Sequence, residues 1–398
     1  MRTATLVIIG GGIFGTNLAY ALATRGARGV VLLEQDVIAA GSSGKATGGL
    51  RQQFADELDI RFSREGINFY TRFIKEYNPV EEEYRPPHFY QHGYLFLCSN
   101  QESWQTLQSA TELQQALGVH TQLLSPDEIS VRVPQLVVDD LLGGTFCPTD
   151  GYSDPGAMTR VLAHAASTLG VTILEHAPVK AIQVKHNKIM GVSTPQETIS
   201  TPLVINATGV YAALTARLAG MTNLPIWPLK RQLYQTESFE DLPQNVPMVV
   251  DVSTGFHFRR RDGGVIVTMP LPISPLQMAQ NKKLEPESFA LHLDETLWPL
   301  LQSEMQRRCP TLAQASIQRA WAGLYEMTPD DHPVLGRTHI EGFLCGFGFA
   351  GHGFMHSPMA ARLLAESILA PQQSNPDLEI FSLERFMTGK LIKTTSFL

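Results

Sequence analysis

Short apolar runs, each closed by glycine or a small polar cluster, punctuate this chain. Residues 4–9 (ATLVII) are apolar without alternation, the pattern of a strand buried on both faces of a parallel sheet. Gly10-Gly11-Gly12-Ile13-Phe14-Gly15 follows, and then Leu18, Ala19 and Leu22 recur at helical spacing until Gly26. Val30-Val31-Leu32-Leu33 reads as a second buried strand. Asp154-Pro155 predicts a helix start, with a capping acid and proline at the first helical position. Met158, Val161, Leu162, Ala165 and Leu169 form its stripe, and Gly170 ends it. Residues 171–175 predict a strand, 179–184 and 189–193 a small meander, and 203–209 an apolar strand ending in Ala207-Thr208-Gly209. Residues 228–236 and 255–269 predict further strands, the latter folding back at Asp262-Gly263-Gly264. Residues 285–308 predict a helix. A last helix presents Ala360, Leu363, Leu364 and Ile368 to the core, which tolerates Pro358 only in the first turn.

A length of 398 residues favours two domains over one core. The net charge of −7 offers no basic footprint for nucleic acid, and the run Arg259-Arg260-Arg261 is expected to flank a solvated turn. Cys98, Cys147, Cys309 and Cys345 lie far apart, without CxxC or HExxH, so no metal site is expected and a reducing compartment is. The opening MRTATLVII runs straight into the glycine loop with no A-x-A site, and reads as a strand rather than a leader. No apolar stretch approaches the ~20 residues of a membrane helix. The expectation is a cytoplasmic protein with no transmembrane segment.

The candidate chemistry starts at the first glycine loop. Gly10 permits the tight turn, Gly12 lets backbone amides approach a pyrophosphate, and Gly15 lets helix and strand close up. The helix N-terminus supplies partial positive charge. Glu34 ends the second strand nineteen residues after Gly15, where an acid meets a ribose diol and repels a 2′-phosphate. The next segment, Gly41-Ser42-Ser43-Gly44-Lys45-Ala46-Thr47-Gly48-Gly49-Leu50-Arg51, is small and polar, and suggests further donors for a pyrophosphate and a ring system. A second glycine-rich stretch, GFAGHGFMHSP at 348–358, runs into the last helix.

The stretches VIIGGGIFGTNLAYAL, VVLLE, SSGKATGGLRQQF, LVINATG, AGLYEMTPDDHPVLG and GFAGHGFMHSPMAARLLAE together resemble the FAD-dependent D-amino-acid oxidase superfamily. Within it they are most similar to sarcosine oxidase β subunits, L-proline dehydrogenase β subunits and glycine oxidases. The resemblance implies an α/β fold, a Rossmann-like FAD domain interleaved with an α+β substrate domain built on an antiparallel sheet. The FAD domain is expected at 1–83, 146–215 and 325–371, the substrate domain at 84–145 and 216–324, and a C-terminal extension at 372–398. FAD contacts are expected from Gly10, Gly12, Ile13, Phe14, Gly15, Glu34 and Gln35. Ser42, Ser43, Lys45, Gly48, Gly49, Leu50, Val179, Ala207, Thr208 and Gly209 join them. Gly323, Gly351, His352, Gly353, Phe354 and Met355 complete the set. The late loop is then expected beneath the flavin, its helix aiming an N-terminus at the pyrimidine end, where reduced flavin carries charge.

The resemblance further implies oxidation of a C–N bond in a small amine or amino acid, with Arg51, Tyr325, His352 and Met355 at the reacting centre. Arg51 serves substrate carboxylate or flavin phosphate; both roles stay open. Stand-alone sarcosine oxidases have a carboxylate-binding Lys where this chain has Met355, so Lys230, Arg231 and Arg259 are alternative sources of a cation. Their oxygen-assisting Lys corresponds to a position within Val265-Ile266-Val267, which favours a dehydrogenase. Their flavin-linking Cys corresponds to Gly323, which implies non-covalent FAD. A companion subunit or separate electron acceptor is compatible with this. Two rivals remain: a 2-hydroxy-acid dehydrogenase using His257 or His352 as base, and a non-catalytic flavin-binding accessory protein.

Overall fold

The computed structural model describes residues 2–289 and 292–393. A six-stranded sheet orders its strands Val334–Arg337, Phe343–Phe347, Val204–Asn206, Leu6–Ile9, Val30–Leu33, Thr172–Leu174. All neighbours are parallel except the antiparallel Val334–Arg337 edge. The first helix, Ile13–Thr24, packs against both Pro155–Thr168 and the last long helix, Gly353–Leu369. It is buried on nearly every side, which explains why its sequence is apolar all round rather than striped. Asp154 caps its helix as expected, accepting from the Ala157 amide at 2.9 Å. The meander Ala181–Lys185, Lys188–Ser193 and Thr198–Ser200 joins Arg2–Thr3 in a separate four-stranded sheet.

Pro358 lies inside the last helix, in its second turn rather than its first. It has no N–H to give to the carbonyl of Phe354 four residues back. Tyr70, from the helix Glu57–Glu76, donates its hydroxyl to that carbonyl at 2.8 Å instead. The proline is thus accommodated by a tertiary contact no local pattern shows.

The second large sheet has eight strands, ordered Ile317–Met327, Trp227–Thr236, Gly264–Thr268, His257–Arg261, Met248–Asp251, Tyr94–Cys98, Gly143–Cys147, Gln122–Leu124. It is mixed rather than wholly antiparallel, because Met248–Asp251 runs parallel to Tyr94–Cys98. The helix expected over 285–308 begins only at Leu297, after a 3-10 turn at Pro286–Ser288. Asp294 Oδ1 accepts from both the amide and hydroxyl of Thr296, which starts the helix there. Residues 290 and 291 of that expectation lie outside the described residues. At the helix's end Arg308 is buried, paired with Asp251 at 2.9 Å and Asp140 at 2.7 Å.

The basic run flanks the exposed turn at Asp262-Gly263 as expected, but its own first two arginines are not solvated. Arg259 and Arg260 are buried. Arg259 donates to the carbonyls of Thr47, Arg260 and Ser153, and Arg260 to those of Phe239, Leu242 and Gly263. Arg261 pairs with Asp154 at 3.1 Å. Guanidinium groups have five donors and suit such carbonyl clusters. The run therefore ties the eight-stranded sheet to the loop that precedes Arg51.

Candidate functional site

The glycine loop is shaped by close backbone approach. Gly10 has φ +115, and a Cβ there would lie 2.3 Å from the Ala207 carbonyl oxygen. A Cβ on Gly15 would lie 2.0 Å from the Gly10 oxygen. Gly12 faces Ser43 instead, whose Oγ would lie 3.3 Å from an added Cβ and accepts from the Ile13 amide at 2.9 Å. Gly12, the N-cap residue, has no side chain to cap this helix, so Ser43 meets its first amide from outside. Glu34 Oε2 accepts from the Gly11 amide at 2.7 Å, so the acid stands beside the turn. Gln35 is exposed next to it. The helix N-terminus, serine hydroxyls and an acid at the strand end form a donor and acceptor set that fits a dinucleotide's pyrophosphate and ribose.

The segment after the second strand holds one helical turn, Ser42–Lys45, and the short strand Gly49–Leu50, which pairs with Gly151–Tyr152. It forms one wall of a cavity of about 310 Å³. Ile13, Ser42, Ser43, Lys45, Gly48, Gly49 and Arg51 line this cavity from one side, and Gly323 and Tyr325 from the eight-stranded sheet. Gly351, His352, Gly353, Phe354 and Met355 line it from the start of the last helix. Segments more than three hundred residues apart therefore meet around one space. Gly10, Gly12, Phe14, Gly15, Glu34, Gln35, Leu50, Val179, Ala207, Thr208 and Gly209 are not among its lining residues. Phe14 packs on Phe349 with ring centroids 5.2 Å apart, Leu50 is core, and Val179 packs beside Leu174 and Ile182.

Gly351, at φ +91, is required by contact: its Cβ would meet the Tyr325 ring at 2.6 Å. A Cβ on Gly323 would meet that of Lys45 at 3.2 Å. These glycines let the Gly351 loop close on Tyr325 and the Gly323 strand close on Lys45.

Three arrangements set the charge in the cavity. First, Arg51 is buried with its guanidinium 3.7 Å over the Phe54 ring and 3.4 Å from His352 Nε2. Burial, then the Arg51 charge, pushes His352 well below the ordinary histidine range, so it is neutral. Second, Asp59 Oδ1 lies 3.4 Å from His332 Nε2 and 3.9 Å from His356 Nδ1. Despite burial, the hydrogen bond and charge of Asp59 raise His332 to about 9, while burial lowers His356 to about 4. Asp56, Asp59 and His332 hold ligand-type atoms within 4.8 Å of one another, a grouping the sequence reading did not anticipate. Its members are already engaged, Asp59 with His332 and His332 Nδ1 with the Asp330 carbonyl at 2.7 Å.

Third, Arg231 and His257 face the cavity with Tyr94, Leu233, Met248 and Val250. Strand alternation separates Arg231 from its neighbour Lys230, which lies outside the cavity and donates to the His292 carbonyl. Arg231 sits 5.2 Å from the Tyr325 ring centroid and forms no ion pair among the described residues. Of the three alternative cations only Arg231 reaches the cavity, since Arg259 is held by carbonyls. Glu326 also lines it; burial raises its carboxyl to about 7, and Oε2 has no hydrogen-bond partner among the described residues. Tyr94 and Glu326 gave no sequence signal, since both sit inside apolar strand patterns.

Comparison with known proteins identifies the family and the fold. The family described as DAO, FAD dependent oxidoreductase, matches residues 5–367. Mitochondrial sarcosine dehydrogenase of Homo sapiens is 29% identical over 393 residues, covering 96% of this chain and 41% of that protein. FAD-dependent oxidoreductase domain-containing protein 1 of Xenopus laevis is 27% identical, covering 96% of this chain and 82% of that protein. The chain thus spans less than half the length of the sarcosine dehydrogenase it matches. The crystal structure of L-proline dehydrogenase from P. horikoshii superposes with a TM-score of 0.88 at 31% identity, covering 98% of this chain and 100% of that one. Glycine oxidase from Bacillus cereus shares the fold, with a TM-score of 0.78 at 22% identity over 95% of this chain and 98% of that one.

Proposed function

Because this chain belongs to the DAO family of FAD-dependent oxidoreductases, we propose that it oxidises the C–N bond of a small secondary amine or amino acid of the sarcosine, proline or glycine type. The observation that carries this reading is Arg231, a half-buried guanidinium on the cavity wall with no acidic partner among the described residues. A cation taken out of water without a counter-ion is costly, and a substrate carboxylate supplies one. The names of two relatives, sarcosine dehydrogenase and L-proline dehydrogenase, agree with a carboxylate-bearing amine.

Bound FAD supplies the acceptor for a hydride from the substrate's α-carbon. The chain binds, orients and excludes water. Gly10, Gly12, Gly15 and the N-terminus of the first helix would hold the pyrophosphate, and Glu34 would hold the ribose diol. Gly48, Gly49, Gly351 and Gly353 would leave room for the ring, and the N-terminus of the helix Gly353–Leu369 would supply partial positive charge to it. Arg231, with Arg51 lining the same cavity, orients the carboxylate, while Tyr325 and His352 flank the reacting centre. Leu233, Met248, Val250 and Pro270 supply an apolar wall for a small aliphatic body. Gly323 offers no thiol, so FAD is held without a covalent bond through that position. Val265, Ile266 and Val267 are wholly buried aliphatic residues, which supports a dehydrogenase that passes electrons to a partner or small acceptor rather than to oxygen. Four buried free cysteines fit a reducing compartment such as the cytoplasm. Among the described residues no helix is long and apolar enough to cross a membrane.

A 2-hydroxy-acid reading draws on the neutral His257, which could equally accept a hydroxyl proton. An anaerobic reduction screen of the yellow protein separates the two. Bleaching by sarcosine, proline or glycine is expected. Bleaching by 2-hydroxy acids alone would overturn the amine reading, and none across the panel would favour an accessory role.

A further inference from the structure

Amino-acid substrates reach a cavity at neutral pH as ammonium ions, and a hydride leaves only from the neutral amine. Two guanidinium groups, Arg51 and Arg231, line this cavity, so it attracts the carboxylate and repels the ammonium charge. A proton must therefore pass to an acceptor.

The groups lining the cavity differ in what they can take. Tyr94 keeps its proton, because burial raises its hydroxyl far above neutral pH. Asp59 is committed to His332. Glu326 accepts from the amide of Phe349 through Oε1, and burial raises its carboxyl to about 7, so it is already partly protonated at neutral pH. His352 has its Nε2 against the Arg51 guanidinium. Asp331 stands beside His332, on the segment that follows that strand.

His257 differs from all of these. Its Nδ1 lies 2.8 Å from the carbonyl of Gly255. A carbonyl only accepts, so Nδ1 carries the hydrogen and Nε2 keeps a lone pair. The Gly255 carbonyl is itself fixed: Gly255 has φ +72, its amide donates to the Asp251 carbonyl at 2.8 Å, and an added Cβ would strike Pro270 at 2.6 Å. Nε2 has no hydrogen-bond partner among the described residues. Arg231 approaches from the Trp227–Thr236 strand, Arg51 from the loop after Gly49–Leu50, and Tyr94 from its own strand. Met248 and Val250 present no charge, and Asp251 on that strand is paired with Arg307 and Arg308. Burial first, then both arginines, lower His257 to about 4 and keep it unprotonated.

We infer that His257 Nε2 is the group that accepts the proton shed by the substrate's ammonium, with Nδ1–H anchored on Gly255 and the carboxylate held by Arg231. This rests on the amine reading above. The N–H bond breaks, the proton forms an imidazolium at His257, and the electron pair stays on the substrate nitrogen to form C=N as the hydride leaves to the flavin. The imidazolium then returns its proton to solvent.

The test is anaerobic stopped-flow reduction of FAD-loaded wild type, His257→Gln and His257→Asn by sarcosine and proline, from pH 6 to 10. General-base assistance is worth roughly 10²–10⁴ in rate. The variants are expected to lose at least about a hundredfold at pH 7 and to recover as pH rises and free amine becomes available. A purely structural role would lower the rate equally at every pH. Tetrahydrofuran-2-carboxylate, which has an ether oxygen in place of the amine, gives a readout without turnover: its dissociation constant, followed by perturbation of the flavin spectrum, is expected to be unchanged in either variant. Wild-type reduction by an amine with unshifted profiles in both variants would overturn this inference alone. No reduction of wild type by any amine would overturn the amine reading and this inference with it.

Discussion

At the residue scale the cavity is organised by Arg231, a cation that forms no ion pair among the described residues. Replacing Arg231 by glutamine removes the charge but keeps most of the volume. Charge-assisted hydrogen bonds are worth about 1.5–3 kcal/mol, so the dissociation constant of a carboxylate substrate is expected to rise roughly ten- to a hundredfold. Stopped-flow titration of flavin reduction measures it, and an unchanged constant would remove Arg231 from the site. Gly323 makes a second prediction: acid precipitation of the holoprotein is expected to leave the yellow colour in the supernatant, and a coloured pellet would contradict it. The glycine loop and Glu34 were legible because their chemistry depends on spacing. Arg231 was visible only as one of several cations, because its value depends on which face of a strand it occupies. Glu326 was hidden inside AGLYEM, where nothing marks its carboxyl as buried.

At the scale of elements, long-range contacts decide what local patterns could not. The last helix keeps Pro358 in its second turn because Tyr70 satisfies the Phe354 carbonyl. Tyr70→Phe leaves that oxygen buried and short of a donor, at a cost of about 1–3 kcal/mol in denaturant unfolding. Pro358→Ala restores an N–H, so in the double variant the Tyr70→Phe penalty is expected to shrink; strictly additive effects would refute the compensation. The pair between the Glu57–Glu76 helix and the Asp330–His332 segment predicts a pH dependence. His332 titrates near 9 in the fold against 6.5 unperturbed, so its contribution is complete below about 6.5 and is lost as pH rises through 9. Asp59 is depressed, chiefly by its bond to His332 against the opposing pull of burial, so its contribution is present above the ordinary carboxylate range and lost on acidification. His332→Gln breaks a buried pair, and a loss of about 3–5 kcal/mol at pH 7 is expected, with a flatter decline in stability between pH 7 and 10. A variant that declines like wild type would show that the pair does not set the alkaline limb. The helix misread as starting at 285 shows the reverse weakness, since apolar spacing persists across a turn and only Asp294 marks the true start.

At the scale of the whole molecule, the strands Leu6–Ile9, Val30–Leu33 and Val204–Asn206 were legible as apolar runs, but their order in the sheet was not, because it is set by long-range pairing. The parallel pair in the eight-stranded sheet was not, because nothing in the local pattern of 94–98 or 248–251 shows strand direction. What unites the molecule is a cavity built from both chain ends and the second sheet. The measurement that tests the account most directly is product analysis after one anaerobic turnover with sarcosine or proline. The account predicts one equivalent of imine, or of its hydrolysis product, for each equivalent of flavin reduced. Flavin reduced only when a 2-hydroxy acid becomes a 2-oxo acid, with the amines recovered intact, would contradict it.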